Sequence, residues 1–362
     1  MARRSGRERD RRALGSGAAA ALALVLAACA GCTSGGSTRA ATTPAAAATT
    51  PPAAAGGVPL QQDYVNTIHR VLPSVVEIKT ASGLGSGVVY DTAGHIVTNA
   101  HVVGTATSFQ VFLAGSVSPL PAKLTGSYPP DDLAVIQVTG AAHLVPARFA
   151  DSSKLQVGEI VLAMGNPLGL ASSVTDGIIS AVGRTVSEAQ EPGSPGATLP
   201  DVIQTSAAIN PGNSGGALAG QVVGIPTLAA IDQQLGGAAP GIGFAIPSNI
   251  VTDIAGQIIT TGHVTNSHRA AIGVSVQTVT GPDGQPAGAG IAAVTPSGPA
   301  AKAGLQAGDV ITAVNGTATP DTETLAAVLA GLQPGQQVPL SITKADGSTA
   351  TVHVTLGQLP GS

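Results

Sequence analysis

The chain has 362 residues, which is room for two or three domains. Aromatic residues make up 2% of it and tryptophan is absent, so a core must be built from Val, Ile, Leu and Ala. The formal net charge is −4, but six of the 16 basic and two of the 20 acidic residues lie in the first 28 positions. The remainder carries −8, which argues against nucleic acid as a partner.

Residues 1–28 have the pattern of a secretory signal peptide. Six arginines lie in the first twelve positions, and the uncharged apolar run from Ala13 to Ala28 is shorter than a membrane-spanning helix. The run ends in Leu-Ala-Ala-Cys, which resembles a bacterial lipobox and implies that Cys29 is lipidated as the first mature residue. The alternative is an N-terminal anchor that is not cleaved. With Cys29 acylated, Cys32 would have no partner for a disulfide.

Residues 29–57 consist almost entirely of Ala, Thr, Ser, Gly and Pro, and Arg39 is their single charged side chain. Such a segment cannot bury enough apolar surface to offset the entropy of ordering it. We therefore predict a disordered tether between the leader and the first folded domain.

The next stretch predicts a mainly β domain. A short helix is expected over Asp63–Arg70, and a longer one is expected from Ser248, its N-cap, to a stop at Gly262. Between them lie short β-branched runs separated by turns, a spacing typical of a barrel or sandwich. The clearest runs are Val75–Lys79, Gly83–Val89, His95–Thr98, Phe109–Leu113, Leu133–Val138 and Val157–Leu162.

Ser214 lies between glycines in the sequence Asn-Pro-Gly-Asn-Ser-Gly-Gly, residues 210–216. A serine hydroxyl is a poor nucleophile at neutral pH, so catalysis would need a neighbouring base and donors for an oxyanion. Most clusters of Gly, Ser and Asn are ordinary turns. A catalytic role for this cluster therefore depends on finding a base and a carboxylate elsewhere in the chain. Thr-Asn-Ala-His-Val-Val ends at Val103, and Asp-Asp-Leu-Ala-Val begins at Asp131. The order His, Asp, Ser matches one of the known catalytic triads.

These stretches, together with Met-Gly-Asn-Pro-Leu-Gly at residues 164–169, resemble the HtrA (Deg) family of serine proteases in order and spacing. The resemblance runs from Val58 to the C-terminus and implies a chymotrypsin-like double β-barrel over residues 58–266. It implies His101 as general base, Asp132 as the orienting carboxylate and Ser214 as nucleophile. Neighbouring side chains of an extended chain point to opposite sides, so Asp131 is expected to be solvated.

The resemblance also assigns the surroundings of the nucleophile. It implies an oxyanion hole at Gly212, Asn213 and Ser214, and a specificity pocket at Ala208, Ile209 and Thr227. Trypsin-like enzymes that cleave after basic residues carry Asp six positions before the nucleophile, where this chain has Ala208. Small or medium aliphatic P1 residues are therefore expected. Three segments match family loops at the site: 165–173, 187–200 and 224–239.

A second pattern follows over residues 267–360. Ala270–Val276 and the run Ala-Gly-Leu-Gln-Ala-Gly-Asp-Val-Ile, residues 303–311, resemble a PDZ domain of the circularly permuted bacterial type. A hairpin turn at Val314-Asn315-Gly316 and a helix over Thr322–Leu332 are expected within it. The resemblance implies that a peptide C-terminus binds at Ile272, Gly273 and Val274 and adds a strand to the sheet.

The sequence therefore predicts a serine endopeptidase of the bacterial cell envelope that is tethered to the membrane and cleaves unfolded or damaged polypeptides. Two alternatives stay open: a dedicated regulatory protease with one substrate, and a PDZ scaffold or chaperone whose protease fold is catalytically idle. No metal or organic cofactor is implied, because the histidines and cysteines lack metal-ligand spacing. The family resemblance suggests a homotrimer.

Overall fold

The computed structural model describes residues 59–81, 83–140, 144–166, 173–187, 197–210, 212–232 and 237–361. The predicted signal peptide, the lipidation site Cys29 and the tether lie outside the described residues. Parts of the three predicted loops, 167–172, 188–196 and 233–236, do so as well. Within the described ranges, no helix is long and apolar enough to cross a lipid bilayer.

The first barrel follows a helix, α1 (Pro59–Val71), which contains the predicted Asp63–Arg70 segment and extends it at both ends. Its six antiparallel strands close in the order β1-β2-β3-β6-β5-β4, and a short helix, α2 (Ala100–Val103), connects β3 to β4. The strands are β1 (Val75–Lys79), β2 (Leu84–Val89), β3 (His95–Thr98), β4 (Ser108–Leu113), β5 (Leu120–Tyr128) and β6 (Leu133–Val138).

The second barrel also has six antiparallel strands, closed in the order β10-β11-β12-β9-β8-β7. They are β7 (Ile160–Gly165), β8 (Ser173–Ser187), β9 (Thr198–Thr205), β10 (Ala217–Ala219), β11 (Val222–Asp232) and β12 (Gly237–Pro247). The predicted pair of six-stranded barrels is thus confirmed. The turn that carries Ser214 connects β9 to β10, and the segment that carries His101 follows β3.

Both faces of several strands are buried, and each face fills a different core. In β6, Ala134 and Ile136 fill the first barrel, whereas Leu133 and Val135 join a cluster that also holds residues of the second barrel. Alternate residues of a strand point to opposite faces, so an apolar run such as Leu-Ala-Val-Ile supplies both cores at once. Each fully buried aliphatic side chain contributes roughly 1.5–3 kcal/mol. This shared layer fixes the two barrels against each other.

Helix α3 (Ser248–Thr261) packs into that shared layer through its buried face, which includes Val251, Ile254 and Ile258. The predicted N-cap was wrong by one position: the cap is Pro247, and the Ser248 hydroxyl donates to the Ala150 carbonyl instead. The predicted stop at Gly262 is confirmed. Gly262 has a φ of 80°, which glycine adopts without steric cost, and its N–H donates to the Ile258 carbonyl.

The C-terminal part of the chain has the fold predicted for it. A sheet runs in the order β14-β15-β16-β18-β19, β17 pairs with β16, and β13 pairs with β20. Its elements are β13 (Ala270–Ala271), β14 (Val274–Thr280), β15 (Pro286–Val294), α4 (Pro299–Lys302), β16 (Val310–Val314), β17 (Thr317–Ala318), α5 (Thr322–Ala330), β18 (Gln337–Thr343), β19 (Thr349–Thr355) and β20 (Gly357–Gln358).

The predicted hairpin turn and the predicted helix are both present in this part. Asn315 and Gly316 have φ values of 49° and 80°, as a tight hairpin turn between β16 and β17 requires. Helix α5 begins at the predicted residue because the Asp321 carboxylate accepts a hydrogen bond from the Thr324 N–H at 2.7 Å. It ends two residues before the predicted Leu332, since Gly331 is its C-cap.

Candidate active site

His101 is presented by α2, the single helical turn that follows β3. Asn99 is its N-cap in an extended conformation, and the Thr98 hydroxyl anchors the end of β3 by donating to the Ser86 carbonyl at 2.7 Å. The His101 side chain is 30% exposed, so its imidazole is reachable from solvent while its backbone is fixed. This arrangement leaves the ring accessible to a substrate.

Asp132 ends the 3-10 turn Pro129–Asp131 and has a left-handed backbone, with φ 49° and ψ 41°. Its carbonyl accepts hydrogen bonds from Ala100 N at 3.1 Å and Asn99 Nδ2 at 3.0 Å. Its carboxylate lies 2.9 and 3.0 Å from His101 Nδ1 and also accepts from the His101 backbone N–H. The side chain and the backbone of Asp132 together therefore fix the segment that carries His101, with Nδ1–H directed at the carboxylate.

Asp131 was expected to be solvated, and this expectation is wrong. The residue is 5% exposed, and its Oδ1 accepts a hydrogen bond from Arg269 Nη1 at 3.0 Å. Burial raises the pKa of the Asp131 carboxyl, and the nearby Arg269 charge opposes that rise. The extended-chain argument failed because residues 129–131 form a 3-10 turn, in which adjacent side chains do not alternate between two faces.

The turn around Ser214 is held open by two glycines with positive φ, Gly212 at 104° and Gly215 at 81°. A side chain at Gly215 would collide with the Ser86 carbonyl and the Thr98 hydroxyl, so only glycine fits there. The Ser214 hydroxyl donates to the Thr227 carbonyl at 2.9 Å. The Thr227 hydroxyl in turn donates to Asp132 Oδ2 at 2.5 Å, which ties the serine turn to the carboxylate.

Two backbone amides of this turn are available to an incoming ligand. Among the described residues, the N–H groups of Gly212 and Ser214 donate to no protein acceptor. The Asn213 N–H donates to the Asn210 carbonyl at 3.0 Å, so Asn213 does not offer its amide as the prediction for the oxyanion hole implied. The geometry therefore favours Gly212 and Ser214 as the pair of donors to a developing oxyanion.

Ser86 has a role that the sequence did not indicate. Its hydroxyl donates to the Gly212 carbonyl at 2.5 Å and accepts from Asn166 N at 2.9 Å, while its N–H donates to the Ser214 carbonyl at 2.9 Å. The residue is fully buried. A strand of the first barrel thus fixes the serine turn of the second barrel. The only sequence signal is a Gly-Ser-Gly run in β2, which gives no hint of partners 126 and 128 positions later.

The three residues predicted for a specificity pocket differ in their surroundings. Ala208 is exposed, and its carbonyl accepts a hydrogen bond from the Thr175 hydroxyl at 2.7 Å. Ile209 is buried at 7% exposure and lies against Gly243, where a Cβ would collide with it. Thr227 directs its hydroxyl to Asp132, as described above. No acidic side chain occupies these three positions.

The predicted peptide site of the C-terminal part borders a groove of about 780 Å³. Gly273 has a φ of 79°, and the carbonyls of Ile272 and Gly273 accept from Ala300 N and Thr295 N, each at 2.9 Å. Strand β14 forms one wall of the groove and α5 the other, with Leu325 and Leu329 among its lining residues. The groove is thus apolar and lies along an open strand edge, as an added peptide strand would require.

Comparison with known families identifies both folded parts. Residues 85–225 match the family described as a trypsin-like peptidase domain, and residues 270–356 match the PDZ domain family. The first range contains Ser86, His101, Asp132 and Ser214, and Thr227 lies two residues beyond its end. The second range contains the groove-lining segment Ala270–Val276.

Individual relatives give the same picture. A probable periplasmic serine endoprotease, DegP-like, of Pseudomonas putida strain F1 is 40% identical over 292 residues, which is 78% of this chain and 57% of the relative. Serine protease PepD of Mycobacterium tuberculosis strain H37Rv is 39% identical over 310 residues, 80% of this chain and 65% of the relative. The chain thus spans a little over half the length of the DegP-like relative.

A solved structure, the HtrA-type protease AlgW with a decapeptide, superposes with a TM-score of 0.55 and 31% sequence identity. The superposition covers 82% of this chain and 99% of that chain. Because both folded parts, their order and nearly the whole of a solved relative are matched, the chain belongs to the HtrA (DegP-like) family of trypsin-like serine proteases with a PDZ domain.

Proposed function

We propose that this chain is a serine endopeptidase in which Ser214 attacks the scissile carbonyl and His101 accepts the serine proton. Asp132 holds His101 through Nδ1–H and stabilises the imidazolium that forms as the proton moves. The amides of Gly212 and Ser214 donate to the oxyanion of the tetrahedral intermediate. His101 then returns the proton to the leaving amine, and water hydrolyses the acyl-enzyme by the same steps.

The observation that carries this proposal is the set of hydrogen bonds on the Asp132 carboxylate. The carboxylate accepts hydrogen bonds from His101 Nδ1, from the His101 backbone N–H and from the Thr227 hydroxyl. The Thr227 carbonyl in turn accepts a hydrogen bond from the Ser214 hydroxyl. These bonds fix the imidazole ring through Nδ1, so the other ring nitrogen, Nε2, lies on the side away from the carboxylate. Such an arrangement favours a general base over a buried structural histidine.

The test is hydrolysis of an unfolded protein such as reduced casein by the full chain. The wild type should produce new peptide termini, and Ser214→Ala, which removes one hydroxyl from a folded turn, should not. Hydrolysis by Ser214→Ala at the wild-type rate would reject Ser214 as nucleophile. The DegP-like relative is named a serine endoprotease, and unfolded or damaged polypeptides are the substrates we propose by that likeness.

Cleavage after small or medium aliphatic residues is part of the same proposal. Ala208 and Ile209 offer no charge to a basic P1 side chain, and Ile209 packs so closely on Gly243 that a Cβ at position 243 would collide with it. Sequencing the N-termini of casein fragments should show Val, Ala, Leu or Ile before the cut. A majority of cuts after Lys or Arg would contradict this specificity.

We propose a protease domain over residues 58–266 and a PDZ domain over residues 267–360 whose groove takes the C-terminus of a peptide. The solved relative bears a decapeptide in its name, which supports a peptide-binding role for this fold. The carboxylate would lie near Gly273, and the peptide would pair with β14. Titration with apolar-ended peptides should saturate, and amidation of the peptide C-terminus should weaken binding.

Extracytoplasmic localisation and membrane tethering complete the proposal. The DegP-like relative is named periplasmic, and residues 1–29 have the pattern of a lipoprotein leader. Cys29→Ser should release the protein from membranes, because lipidation there would supply the chains that hold it. Unchanged fractionation with the apolar run still attached would favour the uncleaved anchor. Sedimentation would test the homotrimer that the family resemblance suggests.

A further inference from the structure

Arg269 lies between α3 and β13, outside both barrels, yet within the described part of the chain its guanidinium donates to three acceptors of the protease domain. Nη1 donates to the Pro130 carbonyl at 2.5 Å and to Asp131 Oδ1 at 3.0 Å, and Nη2 donates to the Thr198 carbonyl at 2.7 Å. The Arg269 side chain is 13% exposed and that of Asp131 is 7% exposed. Because this ion pair is largely dehydrated, dissolved salt screens it much less than an ion pair at the surface.

Two of these acceptors belong to the turn that delivers the proposed catalytic carboxylate. Pro130 and Asp131 are the last two residues of the 3-10 turn, and Asp132 follows in the left-handed conformation. A residue with a Cβ adopts that conformation only at a cost, and it persists where the surroundings hold it in place. Arg269 therefore donates hydrogen bonds to the two residues that directly precede the strained backbone of Asp132.

We propose that Arg269 is a positioning residue that holds the Pro129–Asp131 turn so that the Asp132 carboxylate stays against His101. The proposal rests on the triad described under Proposed function. Arginine suits this task because its planar fork serves three acceptors in fixed directions, whereas a lysine ammonium lacks that fork. The third acceptor is the Thr198 carbonyl at the start of β9, so Arg269 also connects the turn to the second barrel.

The test compares variants of the full-length protein on a short peptide reporter whose C-terminus is blocked, so that the PDZ groove stays empty. Arg269→Met keeps the apolar stem and removes every donor, and Arg148→Ala, an exposed arginine of the protease domain, is the matched control. Because a small misplacement of a catalytic group is costly, Arg269→Met should lower kcat on the order of 10- to 100-fold and leave KM unchanged. Arg148→Ala should match the wild type.

The double variant Asp131→Asn/Arg269→Met separates positioning from the burial of an unpaired charge. It leaves no stranded carboxylate, so its thermal midpoint should recover towards that of the wild type. The proposal expects kcat to stay low even so, because the Pro130 and Thr198 carbonyls still lack their donor. A folded double variant with wild-type kcat would overturn it, as would wild-type kcat in a folded Arg269→Met.

An error in the proposed triad would give a result that can be told apart from an error in the role of Arg269. If the wild type and Ser214→Ala cleave the reporter equally, the proposed nucleophile is wrong and the role of Arg269 falls with it. If cleavage depends on Ser214 and Arg269→Met retains full kcat, only the positioning role is rejected. Partial activity of Arg269→Lys, between the values of Arg269→Met and the wild type, would further support the need for the planar fork.

Discussion

At the scale of single residues, Asp132 combines a strained backbone with three side-chain hydrogen bonds. Asp132→Asn keeps the size of the side chain, but its amide would donate to His101 Nδ1 and favour the wrong tautomer. We expect kcat to fall on the order of 10⁴-fold, as it does in the general Ser-His-Asp triad. The measurement is steady-state cleavage of a peptide reporter, with thermal melting to show that the variant folds.

Thr227→Val provides the matched comparison for that experiment. It removes one donor to Asp132 and leaves the carbonyl that accepts from Ser214 in place. We expect a loss far smaller than that of Asp132→Asn. Equal losses would mean that Thr227, and not the carboxylate, controls the imidazole.

Ser86→Ala tests whether the first barrel holds the serine turn. The change leaves the Gly212 carbonyl and the Asn166 N–H without their buried partner, which costs about 1–3 kcal/mol of stability. We also expect kcat to fall with little change in KM, because the turn carries the proposed oxyanion donors. A stable variant with unchanged kcat would show that the turn holds its shape without Ser86.

The residues of the proposed triad could be identified from sequence because each lies inside a local motif. His101 has Asn-Ala before it, Asp132 has Leu-Ala-Val after it, and Ser214 has glycines on both sides. The prediction for Asp131 was wrong because a 3-10 turn replaces the extended chain there, and neither its bond to Arg269 nor the role of Ser86 has a local sequence signal. Their partners lie 138 and 126 positions away, and only the folded chain brings them together.

At the scale of elements, the cap of α5 controls one wall of the peptide groove. Asp321→Ala removes the acceptor for the Thr324 N–H and should cost about 1 kcal/mol, weakening peptide binding with it. Glu323→Ala, in the same helical turn, leaves that bond intact and should cost less. Thermal melting and peptide titration of both variants are the measurements, and equal effects would contradict the role of the cap.

The pH dependence of this effect follows from the same bonds. Hydrogen bonds from Thr324 to the Asp321 carboxylate lower its pKa below the usual value near 3.8. The folded pKa is therefore below the unfolded one, so the stabilisation is present above that value and is lost as pH falls through the folded pKa. The difference between wild type and Asp321→Ala should be full at pH 7 and should shrink below pH 3.8.

Element positions were predicted where local chemistry sets them and missed where packing does. Gly262 and Asn315-Gly316 were identified correctly because positive φ has a clear residue signature. The N-cap of α3 was misplaced because the Ser248 hydroxyl bonds to Ala150, a partner 98 positions earlier. The closure of both barrels came from the family resemblance, since the short apolar runs alone fit a barrel or a sandwich equally well.

At the scale of the whole molecule, the question is whether a peptide in the PDZ groove changes the protease or only holds substrates nearby. A peptide that prefers the active arrangement should raise turnover of a short reporter that cannot reach the groove. A coupling of about 1–3 kcal/mol corresponds to roughly 5–150-fold in affinity terms. Cleavage of that reporter with and without a saturating apolar-ended peptide measures it. No change in rate would leave tethering as the role of the groove.

Labelling with a fluorophosphonate probe shows directly whether Ser214 is an activated nucleophile. The full-length protein should form one adduct, which peptide mass spectrometry should place on Ser214. Ser214→Ala should form none, and His101→Ala should react far more slowly because the base is gone. If the folded wild-type protein forms no adduct, or forms it on another residue, Ser214 is not the nucleophile.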